Sequence, residues 1–133
     1  MNFSFIPAAW TPYLLSLLRI VAALEFLQHG TGKYLKFPIV PMYASFTPLS
    51  AAGIAGVFEL VGSLFLLVGL YSRVAAFFMS GVMAVGYFMA HAPRGFFPIL
   101  NGGELAILYC FVFLYLAAAG PGPWSIDARS NKR

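Results

Sequence analysis

Four apolar runs take up most of this 133-residue chain, and they constrain its fold more than any other feature. The runs cover residues 13–28, 49–70, 74–90 and 105–119. The second run is long enough to cross a bilayer, and flanking residues that can be helical extend the others towards the roughly 17 residues that a span requires. Because backbone polar groups in lipid must be satisfied internally, each run is predicted to be a helix.

We therefore predict an all-α membrane protein, a four-transmembrane-helix bundle with up-and-down topology. Re-entrant loops are the alternative for the shorter runs. The whole chain is expected to form a single integral membrane domain, followed by a polar, frayed tail. The predicted spans are about 13–32, 49–70, 74–91 and 103–119, and the predicted tail is 125–133.

Composition supports a lipid environment. The chain is 61% hydrophobic and 9% charged, and its eight Lys and Arg and four Asp and Glu residues are too few to cover a soluble core. The basic residues stand singly near segment ends, so nucleic acid is not an expected partner, whereas the lipid bilayer is. The lone Cys110 excludes an intramolecular disulfide, and no metal-site motif is visible.

Membrane orientation follows from the distribution of basic residues. We expect both termini to be cytoplasmic, because four basic residues then lie inside against three outside. The inside group is Arg73, Arg129, Lys132 and Arg133, and the outside group is Lys33, Lys36 and Arg94. The two outside connections are rich in apolar residues, which indicates either a lid over a site or residence among lipid headgroups.

Three glutamates lie in or at the edge of predicted spans: Glu25, Glu59 and Glu104. A charged side chain at a helix centre costs about 3 kcal/mol in lipid, so a functional role is the default interpretation. Glu59 is the deepest, about 15 Å along helix 2 from its start. It is the strongest single candidate for a functional centre.

The helix order brings the remaining polar candidates to the membrane side on which helices 1 and 3 end. Glu25 and His29 are four residues apart and form one helical stripe, which is expected to face the bundle interior. Arg19, in contrast, is expected to face protein or the opposite headgroup layer. The predicted cluster comprises Glu25, His29, Lys33, His91, Arg94 and Glu104, with Tyr87 one turn from His91 and Glu59 deeper in the bundle.

Roles follow from side-chain chemistry. Glu59 and Glu25 are candidate catalytic acids, and the candidate substrate-binding residues are His29, His91, Tyr87, Lys33 and Glu104. Structural interpretations remain open: Lys33 could be an interface anchor and Glu59 the acceptor of a structural hydrogen bond. If Glu59 is charged and structural, its expected partner is Arg19 or a histidine.

The sequence resembles the DoxX family of small four-helix membrane proteins. The resemblance extends from about residue 14 to 124, and its motifs are Leu18-Arg19, His29-Gly30, Lys33, Glu59-Leu60, Gly62, Gly69-Leu70 and Arg73. It implies a multi-pass protein of the inner (plasma) membrane in a redox setting. Some members look like subunits of quinone-linked oxidoreductases that act on reduced sulfur, and others are associated with oxidative-stress or quinone detoxification systems. Whether the chain is itself part of a quinone-dependent enzyme stays open.

Three functional hypotheses result. The first is a quinone site in the bundle, with electrons supplied by an oxidoreductase partner or a substrate. The second is a non-catalytic anchor or assembly subunit, in which buried polar groups fix helix register; a homo-oligomer is compatible with either. Haem between His29 and His91 is the third, and it is disfavoured because both residues lie near helix ends.

Overall fold

The structure, a computed structural model, describes residues 5–130, and every regular element in that range is helical. Its α-helices are α1 (Thr11–Tyr34), α2 (Ala51–Val68), α3 (Ser72–Gly86), α4 (Pro98–Asn101), α5 (Glu104–Ala119) and α6 (Ile126–Ser130). α3 continues into a π-helical turn at Tyr87–His91 and a 3-10 turn at Ala92–Arg94. The all-helical part of the prediction is confirmed for the described residues.

Within residues 5–130, three helical segments are long and apolar enough to cross a membrane: Ala8–Tyr34, Ala51–Val68 and Ser72–Arg94. α5 is also apolar, but its 16 residues measure only about 24 Å, less than the roughly 30 Å of a bilayer's hydrocarbon core. Membrane helices are thus confirmed, whereas a fourth span stays a prediction.

The helices pack in sequence order. α1 packs extensively on α2, and α3 packs extensively on α5. Contacts between α2 and α3 connect these two pairs, whereas α1 and α5 contact each other at few positions. The buried core between them is small and consists of Ala22, Ala23, Phe26, Leu66, Ala76, Met79, Phe113 and Leu116. Most other large apolar side chains are exposed on the outside of the helices, as expected where lipid is the solvent.

Small residues allow α1 and α2 to approach closely. A Cβ atom added to Gly30 would lie 2.7 Å from the backbone nitrogen of Leu60, so only glycine fits at this crossing. The neighbours of Glu59 on its own face of α2 are small residues, which predict a packed face in a membrane helix: Ala55, Gly56, Gly62 and Ser63. The structure confirms it, because Gly56 and Ser63 are buried and the other two are half-buried.

The tail differs from its prediction. Ser125 is buried, and Asp127 accepts hydrogen bonds from the backbone nitrogens of Tyr71 and Ser72 at 2.9 and 2.8 Å. The described part of the tail is therefore docked on the start of α3 rather than frayed. Its other residues, including Lys132 and Arg133 from the orientation argument, lie outside the described residues.

Candidate functional site

A buried ion pair joins α1 to α2. The Nζ atom of Lys33 donates to both carboxylate oxygens of Glu59, at 2.8 and 2.7 Å. Both residues are buried, with 9% and 4% of their surface exposed. The deepest carboxylate of the sequence is therefore neutralised by a side chain from the last turn of the preceding helix.

The partner of Glu59 corrects the sequence interpretation. Arg19 or a histidine was expected, and Lys33 was interpreted as a possible interface anchor, yet the lysine turns inward. Gly56 explains how it fits, because a Cβ there would lie only 3.0 Å from Cδ of Lys33. One turn separates Gly56 from Glu59, so the missing side chain leaves room for the lysine stem beside its acceptor.

Tyr43, from the connection between α1 and α2, links this pair to His29. Its hydroxyl lies 2.9 Å from Nδ1 of His29, and its ring lies over Lys33, with Nζ 5.4 Å from the ring centroid. Burial, together with the negative charge of Glu59, raises the pKa of Tyr43 above its ordinary value of 10.0. The phenol therefore stays protonated at physiological pH and can donate a hydrogen bond.

His29 is exposed, not enclosed by the bundle. Its ring lies 5.3 Å from that of Phe26, which in turn contacts Tyr109 and Phe113 of α5 edge-on at 5.2 Å. Phe26 and Phe113 are buried and Tyr109 is half-buried, so this aromatic group packs between α1 and α5, with His29 at its exposed edge. We call His29, Tyr43, Lys33 and Glu59 the α1–α2 network.

Glu25 contradicts the predicted inward stripe. Its side chain is exposed, as is that of Gln28, while the neighbouring Phe26 takes the buried position. Within residues 5–130 the Glu25 carboxylate makes no hydrogen bond or ion pair. The face of α1 that packs on the bundle is formed by Ala22, Phe26, Gly30 and Lys33. Glu25 lies outside this face, so the prediction that it points inward was wrong.

The other predicted residues form a separate group. Nδ1 of His91 lies 3.2 Å from the Asn101 backbone oxygen, and the rings of Tyr87 and His91 stack with centroids 6.3 Å apart. The side chain of the buried Asn101 donates to the Gly95 backbone oxygen at 2.8 Å and accepts from the Gly103 nitrogen at 2.8 Å. These bonds close the connection between α3 and α5.

Glu104 belongs to neither group. It is exposed at the first residue of α5, where its charge interacts favourably with the helix dipole. In the part of the chain that the structure describes, no hydrogen bond or ion pair joins Glu104, or the His91 group, to the α1–α2 network. The predicted cluster is thus divided into two polar groups and a helix-terminal glutamate.

Arg19 organises the opposite end of the bundle. It is fully buried and donates to the backbone oxygens of Leu66 and Leu67 at the end of α2, and of Pro121 and Trp124 after α5. The prediction that it faces protein, away from His29, is confirmed. An arginine fits because its five donors satisfy carbonyls that a helix end leaves open.

Arg73 and Asp127 act similarly on two other helix ends. Arg73 donates to the last carbonyls of α5, at Ala117, Ala118 and Ala119. Asp127 accepts from the first amides of α3. Burial raises the pKa of Asp127, but the hydrogen bonds from Ser72 and Tyr71 and the charge of Arg19 outweigh burial and hold it below its ordinary value of 3.8.

Two residues of these groups were absent from the sequence-based candidates. Tyr43 lies in the apolar connection between α1 and α2. Its sequence gives no sign of a contact with His29, because helical spacing does not apply to a loop residue 14 positions away. Asn101 precedes Gly102-Gly103, which signals a turn, and that signal could have identified it as the residue that closes the turn.

One apolar groove lies away from both polar groups, between α2 and α3. Its volume is about 360 Å³, and its floor contains Gly62, Ala75 and Met79. The pairs Phe58–Phe78 and Phe65–Tyr71, with ring centroids 6.4 Å apart in each, lie on its sides. Apart from Tyr71 the lining residues are apolar, which suits hydrocarbon.

Comparison with known proteins gives two matches. The DoxX family model matches residues 14–92, which is more than half of the chain. An uncharacterised protein of Haemophilus influenzae is 46% identical over 132 residues, covering 93% of this chain and 96% of its own length. No solved structure matches. The matched region contains Arg19, the whole α1–α2 network and Arg73.

Proposed function

Because the chain belongs to the DoxX family, we propose that it is a multi-pass subunit of a quinone-linked redox system in the inner membrane. In this proposal α5 is the fourth pass of an up-and-down bundle whose termini are cytoplasmic. A lipid-soluble quinone or quinol is the substrate, and an oxidoreductase partner exchanges electrons with it. The chain itself supplies the binding surface and the proton-exchanging groups.

The observation that carries the proposal is the α1–α2 network, which extends from an exposed imidazole to a buried carboxylate. A quinone takes up or releases protons together with electrons, so its site needs a titratable group that lipid-soluble molecules can reach. His29 meets that requirement, since it is exposed near the end of a membrane-crossing helix and is held by Tyr43. Histidine titrates near neutral pH and either donates or accepts a hydrogen bond.

The surroundings of His29 also suit a quinone ring. The imidazole lies beside the ring of Phe26, on which the half-buried Tyr109 of α5 packs, and the exposure of His29 itself gives access from the bilayer. Since Nδ1 of His29 is engaged by Tyr43, Nε2 is the nitrogen that would bind a quinone oxygen. The residues present therefore fit the substrate class.

Lys33 and Glu59 take a positioning role in this proposal. The link between Tyr43 and Lys33 is a contact with the ring face, so hydrogen bonds do not continue from His29 to Glu59. The ion pair instead fixes α1 against α2 and holds the cation beneath the Tyr43 ring. Of the two glutamates predicted to be catalytic, Glu59 supports the site, and Glu25 lies on the exposed face next to it.

The proposal is tested by the quinone content of the purified protein. The chain has two histidines near corresponding helix ends, so His91→Ala is a matched control for His29→Ala. We expect quinone to copurify with the wild type and with His91→Ala, and to fall at least fivefold in His29→Ala, with helical content unchanged in all three. Equal quinone content in the two variants, or none in the wild type, would contradict the proposal.

A second candidate function is a membrane anchor for an oxidoreductase partner. It is favoured by the observation that Arg19, Arg73 and the Lys33–Glu59 pair all fix helices to one another. An anchor would release its partner from the membrane fraction on deletion, and His29→Ala would retain the partner fully. Fractionation of deletion and His29→Ala strains separates the two functions.

A further inference from the structure

The α1–α2 network leaves one costly group unexplained. Glu25 lies nine residues before the end of the membrane-crossing segment Ala8–Tyr34, about 14 Å along the helix, and its side chain is exposed. An unpaired carboxylate at this depth in lipid is strongly unfavourable, so such residues ordinarily face protein or water. The exposed face of α1 around Glu25 is therefore expected to contact a polar partner, because lipid chains cannot hydrogen-bond the carboxylate.

The spacing of the exposed residues around Glu25 indicates what kind of partner packs there. The exposed side chains Leu14, Leu18, Val21, Glu25 and Gln28 follow one another at intervals of four, three, four and three residues. This is the heptad spacing of a helix that packs against another helix with a left-handed crossing. We call these five residues the α1 seam.

The chemistry of the α1 seam is self-complementary. Glu25 offers carboxylate acceptors. The Gln28 amide nitrogen offers a donor, because its hydrogen bond to the Leu24 oxygen is long, at 3.5 Å. Two identical helices related by a two-fold axis along the membrane normal would each place Gln28 within one turn of the other's Glu25. Every bond is then made twice, as an isologous interface requires.

We propose that the chain forms a homodimer through the α1 seam, with Glu25 of each copy accepting a hydrogen bond from Gln28 of the other. The apolar members of the seam pack across the two-fold axis, and the polar pair fixes register, as single polar residues do in coiled coils. A second copy satisfies both polar groups at once. Lipid chains satisfy neither.

The proposed quinone surface is compatible with this dimer and does not depend on it. His29 is rotated about 40° from Glu25, towards Phe26 and α5, and so lies at the edge of the seam. The dimer can therefore be tested without any quinone measurement, and failure of one proposal leaves the other standing.

Disulfide cross-linking in native membranes tests the dimer. Val21 in the seam and Val61 on α2 are exposed to nearly the same extent, 48% and 46%, which makes them a matched pair. Cys110→Ala supplies the cysteine-free background. We expect Val21→Cys to give a species of twice the monomer mass on oxidation, at a yield at least fivefold above that of Val61→Cys.

Substitution of Glu25 tests the hydrogen bonds. Interhelical hydrogen bonds in membranes change association about 2.8-fold each, so losing both symmetric bonds in Glu25→Leu should raise the dimer dissociation constant roughly eightfold. Glu25→Gln keeps an acceptor and should change it little. No dimer at Val21, equal yields at Val21 and Val61, an adduct with a different protein, or an undiminished Glu25→Leu dimer would each overturn the proposal.

Discussion

The two ends of the bundle use charged residues in different ways. At the end that we call the tail end, Arg19, Arg73 and Asp127 bind backbone groups, and every one of those groups belongs to the start or end of a helix or to the adjoining loop. At the opposite end, which we call the network end, Lys33 binds Glu59 and His29 binds Tyr43, so side chains bind side chains.

The difference indicates how each end contributes. Backbone groups at helix ends need partners in any such bundle, so the tail-end residues complete the fold. At the network end the buried charges of Lys33 and Glu59 pair with each other, and the imidazole of His29 remains exposed. We therefore assign a structural role to the tail-end residues and a functional role to the network end.

The largest effect is expected at the buried pair. Glu59→Gln leaves the Lys33 ammonium buried without its carboxylate, which should lower the free energy of unfolding by about 3–5 kcal/mol. Denaturant unfolding in detergent measures it. Glu59→Leu combined with Lys33→Met removes both charges and should recover most of the loss. A Glu59→Gln protein as stable as the wild type would show that the pair does not hold α1 to α2.

A smaller loss is expected at Arg19. Arg19→Ala leaves four backbone oxygens without their donor in a buried site, at a cost of about 2–3 kcal/mol. Arg19→Lys keeps the charge but cannot reach all four acceptors, so its stability should lie between those of the alanine variant and the wild type. Neither variant should alter quinone content per folded molecule. Loss of quinone at constant stability would move function to the tail end.

The sequence alone predicts the helices of this fold but not the docked tail. The apolar runs predicted helices at nearly the observed positions because lipid forces backbone hydrogen bonds into each segment. The docked tail was not predictable, since Asp127 acts on Tyr71 and Ser72, more than 50 residues away, and a polar segment gives no sign of such long-range capping.

The site was only partly predictable. Inward orientation of Glu59 followed from its small neighbours, because they mark the packed face of α2. The choice of Lys33 as its partner depended on the depth at which α1 crosses α2, which is set by the contact of Gly30 with Leu60 and has no local signal. Glu25 was placed inside because its spacing to His29 was read without knowing which face packs.

The contribution of Asp127 should depend on pH. Its pKa is lowered in the folded protein, so the stabilisation is present above its ordinary value and is lost as pH falls through the lower, folded value. As the carboxylate caps the start of α3 and is partly exposed, the effect should be below about 1 kcal/mol. In the wild type, the hydrogen-exchange protection factors of residues 125–130, which are corrected for the intrinsic exchange rate at each pH, should fall below about pH 4. Asp127→Asn should show no such step.

The smallest stability change is expected at Tyr43. Tyr43→Phe removes the hydrogen bond to His29 but keeps the ring over Lys33, so the unfolding free energy should fall by about 0.5 kcal/mol. If Tyr43 holds the imidazole for a quinone, quinone affinity should nevertheless fall about threefold or more. Unchanged affinity in Tyr43→Phe would limit the tyrosine to a structural contact.

The division between the two ends is tested most directly by measuring quinone content and unfolding free energy on the same preparations of two variants, His29→Gln and Arg73→Gln. The account predicts that His29→Gln loses quinone while its unfolding free energy falls by no more than about 0.5 kcal/mol, whereas Arg73→Gln loses about 1 kcal/mol and keeps its quinone per folded molecule. The reverse pattern, or quinone retained in His29→Gln, would contradict it.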